Sequence, residues 1–180
     1  LDSRSGVSNS HQLPYFALDE QGRATEESGK VWFGALQWSG NWQIAVETLL
    51  DILETGRGTD KDGALGGLGR IGDGTCVKPI LGAITNAEAH TWRAGIGALA
   101  SMQGVDVTRA IVEAYPSQSL KTQLALISVL GSKRYPLTIP VLKQAAQSAD
   151  PPFRLAGIEA LAEAGLPDGI ELLSAAAANG

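Results

Sequence analysis

Apolar residues recur along most of this chain at an interval too long for a single helix or strand. Leu68, Leu99, Leu130 and Leu161 stand 31 residues apart each time, and Leu65, Ile96, Ile127 and Ile158 keep the same interval three residues earlier. A second register runs through Leu50, Leu81 and Val112, then Leu142 and Leu173, with one residue deleted between Val112 and Leu142. Two apolar tracks per 31 residues predict two helices per repeat. Neither helix can bury its stripe alone, so the repeats must stack on one another. The expected fold is mainly α: a right-handed α-solenoid of about four helical-pair repeats over residues 46–180, preceded by a short N-terminal β-hairpin segment over residues 1–45.

The spacing predicts first-set helices over 46–55, 74–85, 105–115, 136–148 and 168–178. Second-set helices are predicted over 60–71, 88–103, 119–132 and 151–165. Asp73, Asp106 and Asp168 fall near first-set starts, where a carboxylate caps free amides and meets the positive end of the helix dipole. Pro79 and Pro140 fall in early turns, and Asp150-Pro151-Pro152 is a helix-entry signal. Gly63, Gly66, Gly67 and Gly69 weaken the first second-set helix by about 0.8–1 kcal/mol each relative to Ala. Close helix packing is one use for them.

The front of the chain has a different pattern. Six aromatics (Tyr15, Phe16, Trp32, Phe33, Trp38, Trp42) precede residue 48, and the rest of the chain is dominated by Ala, Leu, Ile and Gly. Val31 to Trp38 reads as strand, Ser39-Gly40-Asn41 as a turn. Trp42-Gln43-Ile44-Ala45-Val46-Glu47 then alternates, predicting a second hairpin strand with Trp42, Ile44 and Val46 on one face.

Net charge is −5, which gives no electrostatic support for a nucleic-acid groove or an anionic membrane surface. One cysteine excludes an intramolecular disulfide framework. No apolar run approaches the ~18 residues of a membrane span and no signal-peptide pattern is present, so a soluble chain of unknown compartment is expected. The chain opens at Leu1 and closes in mid-pattern, the expectation being a fragment of a larger protein.

The text Ala-Leu-Gly-Gly-Leu-Gly-Arg-Ile-Gly-Asp (64–73) with Val77-Lys78-Pro79-Ile80-Leu81 recurs as Gly-Ile-Gly-Ala-Leu-Ala (95–100) and Gly-Ile-Glu-Ala-Leu-Ala-Glu-Ala-Gly (157–165). It resembles HEAT repeats, specifically the short phycobilisome-lyase type, over about residues 46–180. The resemblance implies a scaffold or protein-binding surface. It does not carry over the lyase activity of a few members, since no residues here identify it. Ser8-Asn9-Ser10-His11-Gln12-Leu13-Pro14-Tyr15-Phe16-Ala17-Leu18, Gly29 to Leu36 and Trp38-Ser39-Gly40-Asn41-Trp42 instead resemble family 36 glycoside hydrolases, the bacterial α-galactosidases, over about residues 3–48. In that family this text lies in the N-terminal β-sandwich domain, ahead of a catalytic barrel whose Lys-Trp-Asp type motif is missing here. A natural fusion, a gene fragment read into its neighbour and a mis-joined sequence would all give this juxtaposition.

Candidate chemistry is sparse. His11 and His90 lack a second ligand at helical spacing, so no metal site and no cofactor are expected. Cys76 has no His or Cys neighbour and reads as a buried thiol. Glu26-Glu27 and Asp60/Asp62 read as solvated charge rather than acid/base pairs, and the glycines of 67–72 lack the ending of a phosphate loop. Trp32, Trp38 and Trp42 fit carbohydrate stacking, against the plainer reading as sheet core. On the second-helix face, Trp92, Arg93 and Arg154 are the large side chains suited to a partner. No catalytic residue is assigned. The expected function is a non-catalytic protein-binding or scaffolding module with a protein or peptide partner; the alternative is a truncated family 36 α-galactosidase segment, inactive without its barrel. The apolar end at Ala175–Ala178 adds self-association through an uncapped solenoid end.

Overall fold

The computed structural model of the protein describes residues 42–167 and 169. Eight α-helices occur among them: α1 (Trp42–Thr55), α2 (Thr59–Ile71), α3 (Val77–Ile84), α4 (Ala89–Ser101), α5 (Val105–Ala114), α6 (Leu120–Lys133), α7 (Ile139–Ala146) and α8 (Pro151–Ala164). Short 3₁₀ turns lead into α3 and α7 and close α5. There is no strand among the described residues. The first strand of the expected hairpin, with Trp32 and Trp38, and the helix expected over 168–178 lie outside them.

From α2 onward the helices form two layers. α2, α4, α6 and α8 pack in succession as the second set, while α3 meets α5, and α5 meets the turn that leads into α7. This is a helical repeat, and the apolar columns explain it. Leu68, Leu99, Leu130 and Leu161 are all fully buried, as are Leu65, Ile80, Ile111, Ile127 and Leu142. Other column positions are less covered. Ile96, Leu50 and Val112 are half-buried, and Ile158 is 40% exposed on α8.

Helix entry follows local chemistry. Asp73 accepts from the Thr75 amide at 2.8 Å, and Ser119 caps α6 through the Thr122 amide. Pro140 and Pro151-Pro152 sit in first turns, where a missing amide breaks no intrahelical bond. α8 ends on Gly165 in the left-handed region at φ 61°.

One expectation is overturned. Residues 42–47 are not a hairpin strand but the start of α1. Ala45, Leu49, Ile52 and Leu53 are buried at helical spacing, whereas Ile44, expected on the strand's inner face, is 45% exposed. Six alternating residues are too few to separate a period of 2 from one of 3.6, and the longer stripe decides. The chain divides into two units between Thr48 and Leu49, within α1, so the expected 45/46 boundary also falls inside this helix.

Candidate functional site

Helix–helix spacing varies along the second set, and the cause is one pair of columns. On α2, Gly69 lies so close to α4 that a methyl group there would stand 2.9 Å from the Ala98 Cα. Two periods on, the same contact recurs: a methyl on Gly131 of α6 would stand 2.8 Å from the Ala160 Cα of α8. Between these, the corresponding residues are Ala100 on α4 and Val129 on α6. Three additional side-chain carbons wedge that junction, and α4 and α6 touch more sparingly than either neighbouring pair. Ala100 is exposed there, where Gly69 and Gly131 are buried.

Polar contacts hold the wider junction instead. Lys133, at the end of α6, is only 7% exposed. Its Nζ donates to the Ala100 carbonyl at 2.8 Å and to the Met102 carbonyl, both at the C-terminal end of α4. Such carbonyls lack intrahelical partners and carry the negative end of the helix dipole. Burial pushes the Lys133 ammonium down to about 8. At the other end of the junction, the Trp92 indole N–H donates to Thr122 Oγ1 at 3.3 Å, and Lys121 Nζ stands 4.2 Å from the centre of the same ring.

On the first-set side of these same two repeats, α3 and α5 leave a half-open groove of about 560 Å³. Its floor is small and apolar, with Leu81 and Gly82 from α3 and Ala110 and Ala114 from α5. Thr75 and Thr85 line the α3 side, and Ser117 and Gln118 the α5 side. Lys78 and Glu113 project from different helices, both exposed, and neither has a charged partner among the described residues. Gly82 is the telling residue. It sits in the last turn of α3, and a methyl group there would meet nothing within 4 Å. Packing does not require this glycine, and its effect is to keep the groove open.

Asp106 ties the two helices at one end of the groove. Its Oδ2 accepts from the Gly74 amide at 2.9 Å, across the repeat boundary. Asp106 was expected to cap its own helix; its carboxyl also joins the start of α5 to the turn before α3. The donated amide holds its carboxyl below the usual carboxylate range.

The other sequence candidates fall elsewhere. Trp92 and Arg93 lie in the first turns of α4, and Arg154 in the first turn of α8. Trp92 is half-buried and engaged with Thr122, while Arg93 is exposed. The Arg154 guanidinium donates to the Ser148 and Ala149 carbonyls at 3.1 and 3.3 Å. Gln123, one repeat earlier in the same column, similarly reaches back to the Tyr115 carbonyl at 3.2 Å. Two members of this column thus clamp the loop before their own helix. Trp42 is the first residue of α1. His90 stands 3.4 Å from both Asp62 and Glu88, and among the described residues no three His, Cys, Asp or Glu side chains converge as a metal site would require. Cys76 is buried, and that burial pushes its thiol up, the reverse of an activated nucleophile. Among the described residues no helix is long and apolar enough to cross a membrane.

Sequence reasoning missed Lys133 and the groove. The signal for Lys133 was present: its column otherwise reads Ile71, Met102 and Ala164, so a lysine there stands in an apolar track.

Comparison with protein families gives two matches. Residues 1–52 match the glycosyl hydrolase family 36 N-terminal domain, a match that runs into α1. No curated protein matches the chain. Residues 108–180 match HEAT repeats, and the Gly131–Ala160 contact within that stretch has an upstream counterpart at Gly69–Ala98.

Proposed function

We propose that the repeats form a non-catalytic protein-binding module, and that the α3/α5 groove is its site, occupied by an extended peptide segment of a partner protein. Gly82 carries this reading: a glycine in the last turn of α3 with open space above it lets a partner's backbone approach α3 closely. The surrounding chemistry is consistent. Lys78 and Glu113, without charged partners among the described residues, offer one charge of each sign, which suits a segment bearing an acidic and a basic side chain. The Thr75 and Thr85 hydroxyls donate within the chain, to Asp73 and to the Leu81 carbonyl, leaving lone pairs for peptide amides.

The test is a selection of displayed random peptides on the immobilised chain. Recovered peptides should lose at least about tenfold in affinity, or 1.4 kcal/mol, on Gly82→Phe, which puts a ring where the groove is open. Gly97→Phe, at an equally open position on α4, should leave them bound. Equal binding to both variants, or no peptide recovered, sinks the proposal. Concentration-dependent dimerisation abolished by Gly82→Phe would make the occupant a second copy instead.

A second reading rests on the match over residues 1–52. Under it, the front segment is part of a glycoside hydrolase's N-terminal domain, and Trp32 and Trp38 belong to its sheet or sugar-facing surface. Mixing the chain with a family 36 catalytic domain and assaying aryl α-galactoside hydrolysis tests it. Unchanged hydrolysis rules out support of the barrel by this segment.

A further inference from the structure

The groove and the wide helix junction are two sides of one boundary. α3 and α4 form the second repeat, α5 and α6 the third. The groove lies between their first-set helices, and the Lys133 contacts lie between their second-set helices. We infer that this boundary is an adjustable joint, latched by Lys133, whose angle sets the width of the α3/α5 groove. The inference rests on reading that groove as the binding site and concerns its regulation.

Three observations carry it. First, the backbone seam that locks the neighbouring boundaries is missing here. Gly69 on Ala98 and Gly131 on Ala160 bring backbones together so that little sliding or rocking is possible, whereas Ala100 and Val129 hold α4 and α6 apart. Close packing makes an interface bistable or rigid, and a looser one is where rotation is absorbed. Second, what spans the gap is a long, flexible side chain. Lys133 crosses from α6 to two carbonyls at the α4 terminus, just before Gly104 (φ 122°) turns the chain into α5. An ammonium on four methylenes can keep both bonds through a range of helix angles, which a glycine–alanine seam cannot. Third, the first-set side of the boundary is tied at one end only, by Asp106 on the Gly74 amide. Among the described residues no hydrogen bond joins α3 and α5 at the opposite end, near Thr85 and Gln118. Rocking the third repeat on the second therefore changes groove width most at that end.

Pairs of spin labels read the joint directly, in a Cys76→Ala background. Gly66, Gly97 and Ser128 are exposed, equivalent positions on α2, α4 and α6. G66C/G97C spans a close boundary, G97C/S128C spans the joint, and K78C/E113C spans the groove. The joint and groove pairs should give broader distance distributions than the close pair. Lys133→Met should broaden or shift both by at least about 1–2 Å, the scale of helix shifts at interfaces, and leave G66C/G97C unchanged. Ala100→Gly with Val129→Ala, which rebuilds the close type of seam, should narrow both; it reports even where Lys133→Met folds poorly. Identical responses of all three pairs, or no response of the joint pairs to either variant, overturns the inference. The labels are read without peptide, so this outcome and that of the peptide selection are independent.

Discussion

The α6/α8 and α4/α6 junctions are built from the same columns of the same repeat, yet one is close and the other splayed. The difference is three carbon atoms: Gly131 and Ala160 at the first, Ala100 and Val129 at the second. In a stacked array each helix contacts only its neighbours, so a local change in side-chain volume is not averaged over a common core. It appears as a change in spacing at one boundary. A buried lysine lies on one side of that boundary and a groove on the other.

Breaking the close contacts is the most direct test of the comparison. A methyl on Gly131 would meet the Cα, Cβ and carbonyl of Ala160 at 2.8–2.9 Å, and one on Gly157 would collide with the α7 backbone at Ala145 and Ala146. Backbone cannot yield as a flexible side chain can. Gly131→Ala and Gly157→Ala should each destabilise by about 2 kcal/mol, overpacking exceeding the helix-propensity gain of about 1 kcal/mol. Urea denaturation measures this. A neutral result at Gly131 would mean that the close junction relaxes freely and differs little from the wide one.

The next effect concerns Lys133 and pH. Its folded value of about 8 lies below the unfolded value, so the unfolded chain binds more protons between the two. Stability therefore carries a penalty below pH 8, and that penalty is relieved as pH rises from about 8 to 10.5. Full relief would be on the order of 3 kcal/mol. The neutral amine keeps two N–H donors for the Ala100 and Met102 carbonyls, so deprotonation does not forfeit the latch. Lys133→Met should remove this slope. The stability difference between wild type and Lys133→Met should thus shift in favour of wild type from pH 7.5 to pH 10, with other titrating groups cancelling. A pH-independent difference would mean that Lys133 is solvated, and the junction wetter than its 7% exposure implies.

The repeat was legible because its signal is redundant. Four leucines 31 residues apart, all fully buried, report the packing that any stacked helix pair needs. The helix entries at Asp73 and Pro151 were legible for local reasons as well. α1 was misread at its start because Trp42, Ile44 and Val46 mimic a strand, while the deciding residues Leu49, Ile52 and Leu53 lie beyond the aromatic text. The groove was not legible at all: it arises from Gly82 and Ala110, side chains too small to show in any hydrophobic pattern, placed together only by stacking. Lys133 stands in an apolar column, but the column alone does not show that the lysine is buried. Its burial follows from the spacing of α4 and α6, which Ala100 and Val129 set on other segments of the chain.

A smaller effect sharpens the contrast between glycines that pack and glycines that do not. Gly82 and Gly97 are helical, with open space where a side chain would go. Gly82→Ala and Gly97→Ala should each stabilise by about 0.5–1 kcal/mol through the helix propensity of alanine and the reduced entropy of the unfolded chain. Thermal denaturation should show opposite signs at Gly82 and Gly131. A loss of stability at Gly82 would show that the groove is closed in solution by a neighbour packing on α3.

The smallest effect tests the other end of the joint. Trp92 is held from two directions: its N–H bonds Thr122 Oγ1, and Lys121 stands over its ring. Lys121 is exposed, so the cation–π contact should contribute only about 0.5 kcal/mol, and Lys121→Ala should cost no more than that. Trp92→Phe keeps an aromatic face for Lys121 but removes the indole donor and leaves a gap against α6. Thr122 Oγ1 retains the Ser119 hydroxyl as a partner at 3.1 Å, so no buried acceptor is orphaned and the cost should stay near 1 kcal/mol. A double-mutant cycle between Lys121→Ala and Trp92→Phe should give coupling close to zero, since Phe preserves the ring face. Coupling well above 1 kcal/mol would mean that this end is as rigid as the glycine seams, and the joint would then pivot at Trp92 rather than flex along its whole length.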